Sequence, residues 1–220
     1  HDFAFVLGND LVEYKSQYVP KGAATTVDVR YLLPSNASHH VDGSRRAVHG
    51  ALEVLGARVG PYPYGTLTVV YPPFRARRTA GMEYPTLITS GAGDPMWNRV
   101  PFRDLLLNEY TDVHEFGHQY FYGLFASNEQ EEAFLDEGFN SYWDTEIQET
   151  VYGKGASLGQ IFSRDVDMRQ MRRLRIAGNA KNVREPLIKR PSALFDADSH
   201  GTQIYARPAV TFQTAANLFG

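Results

Sequence analysis

The stretch Thr111-Asp112-Val113-His114-Glu115-Phe116-Gly117-His118-Gln119-Tyr120 decides how the rest of the chain is read. It contains His-Glu-x-x-His in a segment that reads as helix. Histidines four apart project from one helical face, about 6 Å apart along an axis rising about 1.5 Å per residue. That spacing lets both imidazoles reach a single zinc ion at about 2.0–2.1 Å. Glu115 points about 100° further around the helix, which disfavours it as a third ligand. It is placed instead to face a water in the metal's open position, where a general base is needed. Eighteen residues separate His118 from Glu137, within Phe134-Leu135-Asp136-Glu137-Gly138-Phe139-Asn140. A helix, a turn and the start of another helix bring Glu137 back as the third ligand. Three protein ligands and a vacant fourth position describe a catalytic zinc rather than a structural one. The competing reading, two ordinary buried histidines and a surface acid, leaves the agreement of motif and spacing unexplained.

Composition narrows the rest. A chain of 220 residues with 43% hydrophobic and 21% charged content suits one large soluble domain or two small ones. The net charge of −3 gives no electrostatic case for binding nucleic acid or an anionic membrane. Without cysteine, disulfides and thiolate metal sites are excluded, leaving His, Asp and Glu as metal donors. No stretch approaches the eighteen or so apolar residues of a membrane span. There is no initiator Met and no signal-peptide pattern. Residues 1–7 read like a strand already under way, and residues 210–219 like a helix without a clear cap. Both ends are therefore expected to continue into a longer protein.

Residues 3–7, 11–19 and 24–33 alternate partially, between Gly8-Asn9-Asp10 and Pro20-Lys21-Gly22, and predict strands in an antiparallel meander. Apolar positions 47, 48, 51, 52 and 55 predict a helix over 41–59, ended by Gly60-Pro61. Strands are expected at 66–71 and 87–89, the second short and at a sheet edge. The central helix is expected over 101–122, with Pro101 near its first turn. Residues 129–151 read as mostly helical, 153–175 as glycines leading into an Arg-rich helix, and 176–200 as irregular. A last helix follows Tyr205-Ala206-Arg207-Pro208. Strands first and helices after argue for an α+β fold: a small mixed or antiparallel sheet followed by a mainly helical half.

With the zinc pattern in hand, the chain resembles the M1 family of zinc aminopeptidases, gluzincins with a thermolysin-like catalytic domain. His114-Glu115-Phe116-Gly117-His118-Gln119 and Leu135-Asp136-Glu137-Gly138-Phe139 match the family's zinc pattern. Gly81-Met82-Glu83 looks like the core of its Gly-x-Met-Glu-Asn exopeptidase motif. Tyr205, followed by Ala206-Arg207-Pro208-Ala209, stands where the family has a tyrosine before a Lys-Gly-Ala-like segment. The resemblance implies that His114, His118 and Glu137 bind one zinc and that Glu115 activates its water. It further implies that Glu83, with Gly81 and Met82, binds the free amino terminus of a peptide substrate, and that Tyr205 stabilises the oxyanion. A carboxylate suits an ammonium ion, and a phenol aimed at developing negative charge suits an oxyanion. It implies a domain division too: residues 1–8 as a remnant of a preceding β-domain, residues 9–220 as the catalytic domain. A bacterial protein of the periplasm or the extracellular space is the expected setting.

The chain departs from the family pattern where Tyr84-Pro85 follows Glu83 in place of Asn, and where Arg207-Pro208 replaces Lys-Gly. Two rival functions arise from the same residues. One is a zinc endopeptidase or epoxide hydrolase on this scaffold; the other is a zinc-bearing scaffold without turnover, which the presence of every ligand and the base disfavours. Asp136 has two readings, an acceptor that orients a histidine or a support for the local turn. The clusters Arg75, Arg77, Arg78 and Arg169, Arg172, Arg173, Arg175 lack interleaved aromatics and read as solvated faces. His39, His40, His49 and His200 lack ligand spacing and read as surface or loop residues.

Overall fold

Val27, Val29, Tyr31 and Leu33 alternate with polar or half-buried neighbours, and this period-two pattern makes β2 (Val27–Pro34) a strand with one face in the core. The computed structural model describes residues 3–21, 26–79, 81–91, 106–154, 159–161, 164–178 and 191–219. Within them β2 pairs antiparallel with β1 (Leu11–Tyr18). The chain then passes through a 3-10 segment, Ser35–His40, into α1 (Val41–Arg58) and returns as β3 (Thr66–Val70), parallel to β2. β4 (Leu87–Thr89) adds parallel to β3, giving the order β1-β2-β3-β4. The sheet is therefore mixed; only its first pair is antiparallel. Parallel pairing requires a crossover, and α1 supplies it between β2 and β3.

The expected apolar stripe of α1 is buried at Ala47, Val48, Ala51, Leu52 and Leu55, packed on Val29, Leu67, Val69 and Ile88 of the sheet. Residues 3–7 form no strand, and Phe3, Phe5 and Leu7 are exposed. The helical half begins with α2 (Leu107–Phe121), whose Val113, Phe116 and Tyr120 enter the same core. The expected first turn of this helix around Pro101 lies outside the described residues. α2 packs against α1 and against α3 (Phe139–Tyr152), and α3 packs against α6 (Arg207–Phe219).

Residues 153–175 differ from the expected glycine-led helix. They contain a hairpin, β5 (Gly159–Ile161) with β6 (Arg164–Val166), and only then α4 (Met168–Gly178). No helical apolar repeat runs through 159–166, so nothing holds that segment to a helix face. Much of the stretch read as irregular, 179–190, lies outside the described residues; beyond it come a 3-10 turn at Ser192–Leu194 and a short α5 (Ala197–His200). Among the described residues no helix is long and apolar enough to cross a membrane.

Asp112 is fully buried where α2 meets β3, and Tyr71 Oη donates to its Oδ2 at 2.8 Å. Burial pushes its carboxyl from 3.8 up to about 7, against the opposing hydroxyls of Ser90, Ser44 and Tyr71. Between those two values the folded chain holds a proton that the unfolded chain has lost, so this group's contribution to stability declines as pH rises. Thermal melts from pH 4 to 8 should therefore fall less steeply in Asp112→Asn than in the unmodified protein. Parallel profiles would show that Asp112 ionises normally.

Candidate metal centre and catalytic site

α2 is a regular helix through His114 and His118, so the one-face geometry expected from the sequence is realised. The two Nε2 atoms lie 3.3 Å apart. Glu137 Oε2 lies 3.0 Å from His114 Nε2 and 3.2 Å from His118 Nε2. Glu137 does not start an ordinary helix: it sits in a π-helical turn, Phe134–Gly138, continuous with α3. Such turns recur at functional sites.

The opposite edges of both rings are tied down. His114 Nδ1 lies 2.9 Å from Asp144 Oδ2, and His118 Nδ1 makes a short contact with Asp136 Oδ1. Asp136 thus orients a histidine. Asp144, which no motif singles out, is fully buried and also accepts from Tyr110 Oη at 2.8 Å. With Nδ1 donating to a carboxylate, the ring's remaining nitrogen carries a lone pair. Two such nitrogens and one carboxylate oxygen therefore converge on one point, a set of donors that could hold a cation. A tetrahedral centre with bonds of about 2.0–2.1 Å has edges of about 3.3–3.4 Å. Edges of 3.0, 3.2 and 3.3 Å match that size closely, and the donor set fits zinc.

The electrostatics agree. Burial opposes charging of both imidazoles, but Asp144 and Glu137 around His114, and Glu137 and Asp136 around His118, hold their pKa values well above the usual range. Burial likewise works against the Glu137 carboxylate, yet the two histidines hold it well below its ordinary value. The pocket attracts positive charge, whether protons or a metal ion.

Glu115 is 6% exposed, and burial pushes its carboxyl up to about 7. Gly81 passes against it: a Cβ there would meet Glu115 Oε1, so a larger residue would require the Glu115 carboxylate to shift. Met82 forms an antiparallel bridge with Thr89 of β4, which puts Glu83 on the edge of the sheet. Its carboxylate, a His118 ring nitrogen and an Asp136 oxygen all lie within 4.8 Å of one another. Burial, opposed by His118 and joined by Glu137, raises the Glu83 pKa. Tyr205 lies in a second π-helical turn, Gly201–Ala206, which runs into α6, and its Oη donates to Glu137 Oε1 at 2.5 Å. All the chemistry-bearing side chains singled out in the sequence share one space, while Met82 points outward, 40% exposed.

Three further residues were not legible in the sequence. Asn140 Nδ2 donates to the His114 carbonyl at 2.6 Å, and a Cβ on Gly117 would collide with Asn140 Oδ1. The glycine between the two histidines is what lets α3 come this close. Gln119 reaches the loop that carries Glu83 through its side-chain amide. Arg172, expected on a solvated face, is 8% exposed and donates to Thr145 Oγ1 and, at 3.4 Å, to Asp144 Oδ2. Its neighbour Arg169 is half-buried and paired with Glu149 at 2.7 Å.

Comparison with solved structures bears on the fold. Legionella pneumophila aminopeptidase A superposes with a TM-score of 0.62 at 15% identity over 97% of this chain. An M1 zinc metallopeptidase from Deinococcus radiodurans superposes with 0.61 at 17% identity over 96%. The fold resembles that of an M1 peptidase domain. The chain spans 23% of the length of the first protein and 41% of the second. No protein-family model matches the sequence, and no curated protein does.

If Asp144 orients His114, Asp144→Ala should weaken zinc binding about 10–100-fold, measured by competition with a chelator. Asp144→Asn, which keeps an acceptor for Nδ1, should lose less. Wild-type affinity in the alanine variant would remove Asp144 from the site.

Proposed function

We propose that the chain is the thermolysin-like catalytic domain of a zinc aminopeptidase of the M1 kind, hydrolysing the amino-terminal bond of peptides. The observation that carries this reading is the set of three converging donors, His114 Nε2, His118 Nε2 and Glu137 Oε2, with the carboxylates of Glu115 and Glu83 close to them. Bound zinc would polarise the scissile carbonyl and lower the pKa of its water towards about 7. The remaining work falls to the chain's own side chains.

Glu115 takes the water's proton and delivers it to the leaving amine. Its pKa of about 7 in a buried position suits a group that must accept and then release a proton. Tyr205 Oη, held beside Glu137, donates to the oxyanion as negative charge develops; burial and the nearby Glu137 carboxylate raise its pKa and keep that proton on the phenol. Glu83 pairs with the substrate's α-ammonium, so that the first peptide bond, and no later one, meets the base. Gly81 and Met82 supply the strand edge that sets where Glu83 stands.

Two measurements test this. Glu115→Gln should lower turnover about 10²–10⁴-fold while retaining zinc, measured by peptide hydrolysis and metal analysis; full activity would sink the mechanism. The zinc-loaded protein should release residues one at a time from a peptide with a free amino terminus and leave its acetylated form intact. Comparable internal cleavage of both would keep the zinc chemistry and make the protein an endopeptidase.

A further inference from the structure

Gln119 follows the second histidine directly and is 3% exposed, but its amide serves the loop that carries Glu83 rather than its own helix. Its Oε1 accepts the Thr86 backbone N–H at 2.8 Å, and its Nε2 donates to the carbonyls of Tyr84 at 3.1 Å and Glu83 at 3.4 Å. One side chain thus supplies both a donor and an acceptor to a stretch of irregular backbone, as a neighbouring strand would.

That stretch needs holding. Residues 84–87 form a tight turn closed by Leu87 N–H to the Tyr84 carbonyl at 3.0 Å. Pro85 occupies its second position, and Thr86 its third with φ of +57°. Type II turns place glycine there; a β-branched residue in the left-handed region is strained. Thr86 is also pinned from β3, whose Thr68 N–H donates to its carbonyl at 2.8 Å. Glu83 lies immediately before this turn, so a relaxed Thr86 would re-aim the very residue whose carboxylate stands near His118.

We propose that Gln119 is a positioning residue: its side-chain amide latches the strained Tyr84–Thr86 turn to the metal-binding helix and so fixes Glu83 at the distance that recognises a substrate ammonium. The role of Glu83 rests on the function proposed above; the latch itself rests on the hydrogen bonds and the strain. Removing the amide should let Thr86 leave the left-handed region, and Glu83 should lose its aim while the zinc ligands keep theirs. Ammonium binding then weakens and the chemical step changes little.

The test uses the zinc-loaded full chain as wild type, Gln119→Ala, Thr86→Gly and the double variant. For a free-amine peptide, Gln119→Ala should raise KM about tenfold with kcat changed much less, at unaltered zinc content. Adding Thr86→Gly should recover most of that loss, because glycine holds a positive φ without strain. A double variant as impaired as Gln119→Ala alone, or an unchanged KM in Gln119→Ala, overturns the latch. Amide hydrogen exchange separates this from the functional reading. Should the wild type cleave free and acetylated peptides alike, the aminopeptidase assignment falls, yet faster exchange of the Thr86 amide in Gln119→Ala would still support the latch. Unchanged exchange would refute it.

Discussion

The metal-binding geometry depends on the hydrogen bonds that Asp144 and Asp136 accept from the Nδ1 edges of His114 and His118. A neutral imidazole offers one donor and one acceptor. Committing each donor to a buried carboxylate leaves two lone pairs aimed at each other 3.3 Å apart, with a Glu137 oxygen beside them. That arrangement repels itself unless positive charge lies between. Burying charged groups is costly unless each is paired and hydrogen-bonded. The surrounding side chains meet that need: Tyr110 and Arg172 donate to Asp144, Tyr205 donates to Glu137, and Asn140 holds the backbone at His114.

Such a network needs its helices fixed within tenths of an ångström, which is what the sheet and α1 provide. Val113, Phe116 and Tyr120 anchor one face of α2 in the core while His114, Glu115 and His118 line the other. Phe116 and Gly117, the two unspecified positions of the motif, therefore have opposite structural duties. Phe116 enters the core; Gly117 clears space for Asn140 of α3. Asp112, just ahead of the motif on α2, extends the same theme of buried acids held by hydroxyls.

Sequence reasoning found what recurs at short, regular spacing. His114, Glu115 and His118 belong to one helix, and the apolar stripe of α1 has the helical period, so both could be read directly. Glu137 came from its separation, and Glu83 and Tyr205 from resemblance. Residues acting only through tertiary contacts left no periodic trace. Asp144 is an acid in a helix of acids, and Arg172 is one arginine among several; only the folded chain separates it from exposed Arg173. Of the antiparallel meander expected over residues 3–33, the β1–β2 pair forms and residues 3–7 make no strand; strand signals give no direction, and the parallel pairing of β3 with β2 follows from α1 crossing between them.

The irregular backbone is not spread at random. The histidines sit on ordinary helix, but Glu137 and Tyr205 sit in π-helical turns, and Glu83 precedes a turn with a strained threonine. A π turn fits an additional residue into the helix and so rotates the chain beyond it by about 100° relative to an α-helical continuation. Glu137 and Tyr205 thereby meet at 2.5 Å although 68 residues separate them. The strained threonine is stabilised from two well-packed elements, β3 through Thr68 and α2 through Gln119. Regular helix supplies the donors whose relative spacing must not vary, and irregular turns supply the groups whose aim had to be adjusted to them. Strain is tolerable at those turns because the core on which they rest is regular.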